Sequence, residues 1–461
     1  MKELIRGAFI SVAVAACFFA AFVAAALWLP QDRQAVRRHL VAAVLDGTFN
    51  AHFGYGPFGG LVWPRHTMDC VIGSMLLAPS AGPLVDAMSN RWPVVNGSWR
   101  DPRMPETLDC QAFARAIPEL GPGYGDVEYV PLDRYIMGIR IFARSVLSLM
   151  PLERAARIMR GIAFALLGAV GLTALWQLGT ARAERSSLQL PAGYLIIAGC
   201  LAALYGVHYF DATFFFAPPD YVHFAFIWIS LIAPLARLSP ARRALYAASY
   251  GSLTAIFEVL TGGIPFALAL LPLLLALGFE GERRTYLTQV IQLWTAFCAA
   301  VIACFVIKRG FTGVFLANEE SFLHFLFYRM YGEPVAASGT KLTLGFLLAA
   351  YRIWSKLIAL GSANIGTGLV LTALGVFATL TWRARKLPWC AHRSVLIACW
   401  LGLVVLIAWS VAFLNHTAVH PYFMARLLII PVIGATVLVT RRLLPRARSE
   451  TGSQARIASP I

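Results

Sequence analysis

Long apolar runs alternate with short basic breaks along most of the chain, and that alternation predicts membrane-spanning helices. The first run, residues 7–30, reads GAFISVAVAACFFAAFVAAALWLP. A helix needs ~20 apolar residues to cross the hydrocarbon layer, so this run suffices. It exceeds the ~7–15-residue apolar core of a cleaved signal peptide and is expected to be a retained anchor running in to out. Further runs at 158–178, 190–208, 221–237, 243–260, 264–279, 288–307, 364–382, 393–413 and 421–440 bring the expected spans to ten.

Two breaks are long. Residues 31–155 mix charges with many Pro and Gly and contain no spanning run; loops of this length usually have a task. Residues 308–363 include SFLHFLFYRMY and LGFLLAAYRIWSKLIAL, whose mixed character predicts interfacial or re-entrant helices. Residues 1–440 thus read as one transmembrane domain, followed by a basic, disordered tail over 441–461.

Composition strengthens this reading. The 461 residues are 59% hydrophobic and only 13% charged, with a mean hydropathy of +0.67, whereas a soluble domain carries about 25% charged residues. The net charge of +16 suggests nucleic acid until its placement is read. The basic residues cluster at Lys2/Arg6, Arg182/Arg185, Arg237/Arg242/Arg243, Arg283/Arg284, Arg383/Arg385/Lys386 and Arg441/Arg442/Arg446/Arg448. That is the positive-inside pattern. It places both termini and the connections near 180–187, 238–243, 280–286 and 383–393 in the cytoplasm of a bacterial inner membrane. The loop 31–155, the segment 308–363 and the turns 209–220, 261–263 and 414–420 then lie on the periplasmic face. The first loop is nearly neutral, with twelve acids from Asp32 to Glu153 against eleven Arg from Arg33 to Arg144.

The outer face also collects the costly polar residues. Asp211, Asp220 and His223 surround the 209–220 turn, Glu258 ends its run, and Asn415, His416, His420 and Arg426 follow near 414–426. Ionisable groups at membrane depth usually face a cavity or a partner. Any one of them is satisfied by headgroup water, but their convergence predicts a shared cleft. In the first loop, Arg140 and Arg144 are four apart and share a helix face, with Arg134 and Tyr135 just before. Arginine forks suit phosphate; headgroup contact or pairing with Asp133 is the plainer alternative. Of the loop carboxylates Asp32, Asp46, Asp69, Asp86 and Asp101, Asp69 is the first choice for a general base, flanked as it is by Arg65 and His66. Asp46 and Asp32 stand in reserve, although most loop aspartates cap helices or sit in solvent.

Six of the eight cysteines lie in or beside apolar runs as small hydrophobes. Cys70 and Cys110 share the first loop, where an oxidising compartment would permit a disulfide. No Walker A, GxGxxG, HExxH or GxSxG motif and no Cys/His metal spacing occurs.

The layout of a first helix, a long acid-bearing outer loop, many spans and a later outer segment resembles the GT-C superfamily of membrane glycosyltransferases. The segments DRYIMGIRIFAR, FEVLTGGIPFAL and NHTAVHPYFMAR are also similar to a group of bacterial polytopic membrane proteins. The corresponding stretches there read approximately RYWHGYxxxLRP, FDxLTxPxxxLG and NHSxxHYWFTYR. The resemblance implies a sugar taken from a polyprenyl-phosphate donor, an envelope glycan, lipid or protein acceptor, and a first-loop carboxylate acting as base, usually with inversion. It highlights Arg134, Tyr135, Gly138, Arg144, Glu258, Thr261, Asn415, His416, His420 and Arg426. The chain departs from the pattern with Glu258 in place of Asp, Met137 in place of His, and no tandem acidic pair after the first helix. No Asp-x-Asp occurs in the outer loops, which favours a metal-independent reaction over one using a divalent metal. An O-antigen polymerase or ligase is the alternative enzyme; its large loops typically fall in the later half of the chain. A transporter or flippase would show repeated halves and midplane charges, and a membrane O-acyltransferase would use His416 on a cytoplasmic donor.

Overall fold

The computed structural model describes residues 2–48, 65–80, 82–94, 108–125, 127–132, 136, 138–180, 185–204, 214, 217–258, 262–315, 375–376, 378–379, 381–383, 391–413 and 429–443. The principal apolar helices are α1 (Lys2–Trp28), α7 (Leu152–Thr180), α8 (Arg185–Leu204), α9 (Ala217–Ile232), α10 (Pro240–Phe257), α11 (Gly263–Leu277), α12 (Arg283–Phe315), α13 (Ala391–Ala412) and α14 (Ile429–Leu443). Among the described residues, four helices are long and apolar enough to cross a membrane: Ile5–Trp28, Leu152–Thr180, Arg283–Val314 and Arg393–Ala412. Leu188–Ala203, Gly263–Leu277 and Ile429–Thr440 are shorter apolar helices. Most of the expected span 364–382 and of the segment 308–363 lies outside the described residues. Helix α12 runs on to Phe315, past the expected end at 307, because Lys308 is docked rather than solvated (below).

Helices α1, α10 and α12 pack pairwise, α7 packs on α8 and α9, and the set closes through α11–α13, α13–α14 and α14–α8. Small residues allow these approaches, as membrane helices require. A Cβ on Gly251 would overlap the carbonyl oxygen of Phe297, so α10 meets α12 at backbone distance. Outward faces stay apolar: Leu172 and Trp176 on α7 are 70% and 68% exposed, which suits lipid and not water. Helix α11 is the reverse, buried over nearly its whole length, as a helix surrounded by others must be.

The first loop folds onto one end of this bundle as α2 (Arg33–Leu45), α3 (Arg65–Leu77), α4 (Pro83–Met88), β1 (Asn90–Val94), α5 (Leu108–Arg115), β2 (Glu128–Leu132) and α6 (Gly138–Leu149). Asp32 starts α2, its carboxylate accepting from the Gln34 and Ala35 amides. A disulfide joins Cys70 on α3 to Cys110 on α5. Strands β1 and β2 pair antiparallel, from Asn90 opposite Leu132 to Val94 opposite Glu128. Apart from this short ribbon the described elements are helical, as the expected all-α polytopic membrane class requires. Both strands are edges, which is why Pro93 and Pro131 are tolerated. The loop is anchored by α2 on α6 and α7, by α4 on α1 and α12, and by α6 on α10. One continuous hydrophobic core runs from loop to bundle.

Candidate functional site

Two buried polar clusters lie where the loop meets the bundle. The first gathers on α4 and α6. Arg140 Nη1 donates to the carbonyls of Asp86 at 2.7 Å and Ser89 at 2.8 Å. Arg144 Nη1 donates to Gln31 Oε1 at 3.0 Å and Asp86 Oδ2 at 3.4 Å. The Asp86 carboxylate also pairs with Arg33 and accepts from Ser80 Oγ at 2.6 Å. From the bundle, Lys308 Nζ donates to the Met88 carbonyl at 2.7 Å. These carbonyls end α4, where the helix dipole favours cations. Arg140, Arg144 and Lys308 are 1%, 1% and 3% exposed. Burial, with Arg144 adjacent, pulls Arg140 down to about 9. Burial also lowers Arg144, against the pull of Asp86. The two arginines expected to grip phosphate therefore seat α4 and tie it to the end of α1. The Nε and Nη2 of Arg144 are buried and make no hydrogen bond among the described residues.

The second cluster holds the acids. Asp69 on α3 is buried, and its Oδ1 accepts the Phe214 amide at 2.9 Å. Phe214 packs on Phe142 of α6 with ring centroids 6.3 Å apart, and Phe142 packs on Tyr221 of α9 at 6.5 Å. Asp69 is thereby placed beside the start of α9, which carries Asp220 and His223, both buried. His223 Nδ1 lies 2.8 Å from the Tyr250 hydroxyl on α10. Glu258 closes α10, its amide donating to the Thr254 carbonyl at 2.8 Å, and is buried. Gly263 opens α11 beside both groups: a Cβ there would overlap Glu258 Oε2 and lie 3.0 Å from His223 Nε2.

The reserve carboxylates have local duties. Asp46 is exposed at the end of α2 and accepts from the amide and hydroxyl of Thr48 at 2.9 and 2.6 Å; Asp32 caps α2. Arg134, Tyr135, Asp211, Thr261, Asn415, His416, His420 and Arg426 lie outside the described residues. Of the residues the sequence reading singled out, His223 and Glu258 meet beside Gly263, Asp220 stands one turn before His223 on α9, and Asp69 is tied to the stretch just before that helix. The sequence reading passed over Tyr250, Gly263 and Lys308 and left Asp86 unranked. Among the described residues, no group of three or more His, Cys, Asp or Glu is placed to hold a metal ion.

No protein-family model, curated protein or solved structure matches the chain.

Proposed function

We propose that the chain is a glycosyltransferase of GT-C type in a bacterial inner membrane, working on the periplasmic face. Its donor is a polyprenyl-phosphate sugar and its acceptor an envelope glycan, lipid or protein. The observation that carries this reading is the bond from the Phe214 amide to Asp69. Across 145 positions of sequence, it ties a first-loop carboxylate to the stretch just before α9, the helix that carries Asp220 and His223. A base for such a transfer must be held in one orientation at the membrane surface, and this bond orients it. The Cys70–Cys110 disulfide adjoining Asp69 fits an oxidising compartment for the loop.

In the reaction, Asp69 takes the proton of an acceptor hydroxyl while that oxygen bonds to the anomeric carbon. The anomeric bond to phosphate breaks, and the lipid phosphate leaves with the electron pair. Arg140 and Arg144 are taken up in seating α4, which leaves Arg134 and Arg426, chosen from sequence, for that phosphate.

The test uses purified protein in vesicles with radiolabelled polyprenyl-phosphate sugars. Wild type is expected to transfer label, and Asp69→Asn to lose about 10²–10⁴-fold in turnover while its melting temperature is kept. Full transfer by Asp69→Asn removes Asp69 as the base. No turnover of any polyprenyl-phosphate sugar by the wild type sinks the reading.

A further inference from the structure

Helices α1 and α12 both meet α4 at one end. Gln31, just past α1, shares Arg144 with Asp86, and Lys308 of α12 reaches the Met88 carbonyl. Towards their other end, α1, α10 and α12 enclose a cavity of about 320 Å³. Its lining is of two kinds. Arg6 and Ser239 are exposed at the rim, with Thr295 half-buried beside them, whereas Ala244 and Ala296 below are buried and Ile10 adds an apolar wall. The neighbouring helix faces are apolar and open, with Phe9 73% and Ile291 52% exposed, as helices in contact with lipid are. Arg6 stands 22 positions before Trp28 on α1. At 1.5 Å per residue that is about 33 Å, close to the thickness of the hydrocarbon layer.

We propose that this cavity holds one anionic membrane phospholipid, its phosphate at Arg6 and its glycerol and first acyl carbons over Ile10, Ala244 and Ala296. A space between membrane helices is filled by water, by an acyl chain or by something with both characters. Water meets no partner on the alanine floor, and an acyl chain alone would desolvate the rim groups without replacing their hydrogen bonds. A phosphate above an apolar stem satisfies both. The guanidinium fork of Arg6 suits phosphate oxygens. Ser239 accepts from the Arg242 amide at 3.4 Å, and a hydroxyl that accepts there still has its own proton to donate. Depth selects a lipid over a soluble anion: with Trp28 at one edge of the hydrocarbon, Arg6 stands at the other, where lipid phosphates lie. Glu280 and Glu282 are exposed ahead of α12 and do not line the cavity. The site lies at the opposite end of α1 from α4, so it ties α1 to α10 and α12 in an anionic leaflet and takes no part in sugar transfer.

The test places full-length protein in phosphatidylcholine vesicles with spin-labelled phosphatidylglycerol or spin-labelled phosphatidylcholine and reads the motionally restricted fraction of each probe. The wild type is expected to hold the anionic probe in preference to the zwitterionic one. Arg6→Gln should cut that preference about fivefold, the worth of one arginine at a lipid surface. Gly7→Leu keeps every charge and fills the cavity, since a Cβ there meets only the Ala244 Cβ, at 3.9 Å; it should cut the preference likewise. Ala241→Phe fills the same cavity from α10 and stands in should Gly7→Leu fail to fold. Arg284→Gln removes an exposed charge of α12 about 16 Å along the helix from Thr295, beyond the reach of screened charge, and should leave the preference nearly unchanged. A wild type without preference overturns the proposal. So does a preference that survives the cavity-filling variants, or one that Arg284→Gln lowers as much as Arg6→Gln does, because either result marks a diffuse surface field. Displacement of the anionic probe by inorganic phosphate, but not by chloride at equal ionic strength, would make this a site for soluble phosphate and overturn the lipid assignment.

Discussion

The cluster around Asp86 and the cluster around Glu258 lie at the same end of the helices and are equally dry, yet they are built differently. Around Asp86, three buried cations meet one carboxylate and a row of helix-end carbonyls, and those contacts bind α4, α6, α1 and α12 to one another. Around Glu258, three helices bring an acid, an imidazole and a phenol to one small space that a glycine keeps open. Arg140 is tied to two carbonyls of α4 and its end, whereas Glu258 and His223 both face the opening above Gly263. The first cluster fastens the loop to the bundle; the second leaves a small polar space between three helices.

The sharpest way to break this comparison is to remove one acid from each side. Asp86→Asn leaves Arg144 buried without its counter-charge, and stripping one member of a buried ion pair costs about 3–5 kcal/mol. Glu258→Gln keeps size and hydrogen-bonding capacity, and is expected to cost within about 1 kcal/mol, nearer the range of mild substitutions. Thermal unfolding of both variants in one detergent measures the difference. Equal losses would mean that both clusters are fasteners.

Next in size is the disulfide. Closing 40 residues of sequence separation is worth about 4 kcal/mol by the chain-entropy argument, and native strain or residual structure reduces it. Cys70→Ser with Cys110→Ser should open α3 and α5 to protease under conditions that leave α1 and α12 intact. Asp69 sits on α3, so sugar transfer should fall while the thermal unfolding of the bundle helices stays as in the wild type. Concerted loss of both would show that loop and bundle are not separable in the way the two clusters suggest.

What the sequence revealed and what it hid follow from the range of each signal. Apolar runs of ~20 residues are local, so the helical membrane class could be read from hydropathy. Hydropathy does not separate a helix facing lipid from one enclosed by other helices, which is why α11 reads as a span although its surface is covered by protein. The four-residue spacing of Arg140 and Arg144 correctly put them on one face. What that face meets, the α4 carbonyls more than fifty positions away, has no periodicity to betray it. Asp69 could be nominated from its neighbours, but its bond to Phe214 could not. The ribbon was missed because Pro93 and Pro131 interrupt the alternation that marks strands.

The smallest expected effect lies on the loop surface and serves as a control for the buried pairs. Arg37 on α2 grips Glu119, just beyond α5, with two parallel bonds of 2.7 and 2.6 Å. The side chains are 37% and 43% exposed, so solvent screening limits the pair to under about 1 kcal/mol. The Arg37 hydrogen bond holds the Glu119 carboxyl below its ordinary 4.5, and the same bond raises Arg37. A lowered carboxyl contributes stability above its unfolded value and loses it as pH falls through the folded one. The contribution is therefore present at neutral pH and disappears in acid, below about 4.5. The raised arginine would lose its share only in strong alkali, outside any working range. Glu119→Gln should lower the melting temperature slightly at pH 7 in low salt, and less as salt is added. At pH 3 it should make almost no difference. Asp86→Asn should remain destabilising in high salt, because water and ions do not reach Arg144. If added salt erased both effects alike, the cluster around Asp86 would have to be solvated, and the contrast between surface and buried pairs would be lost.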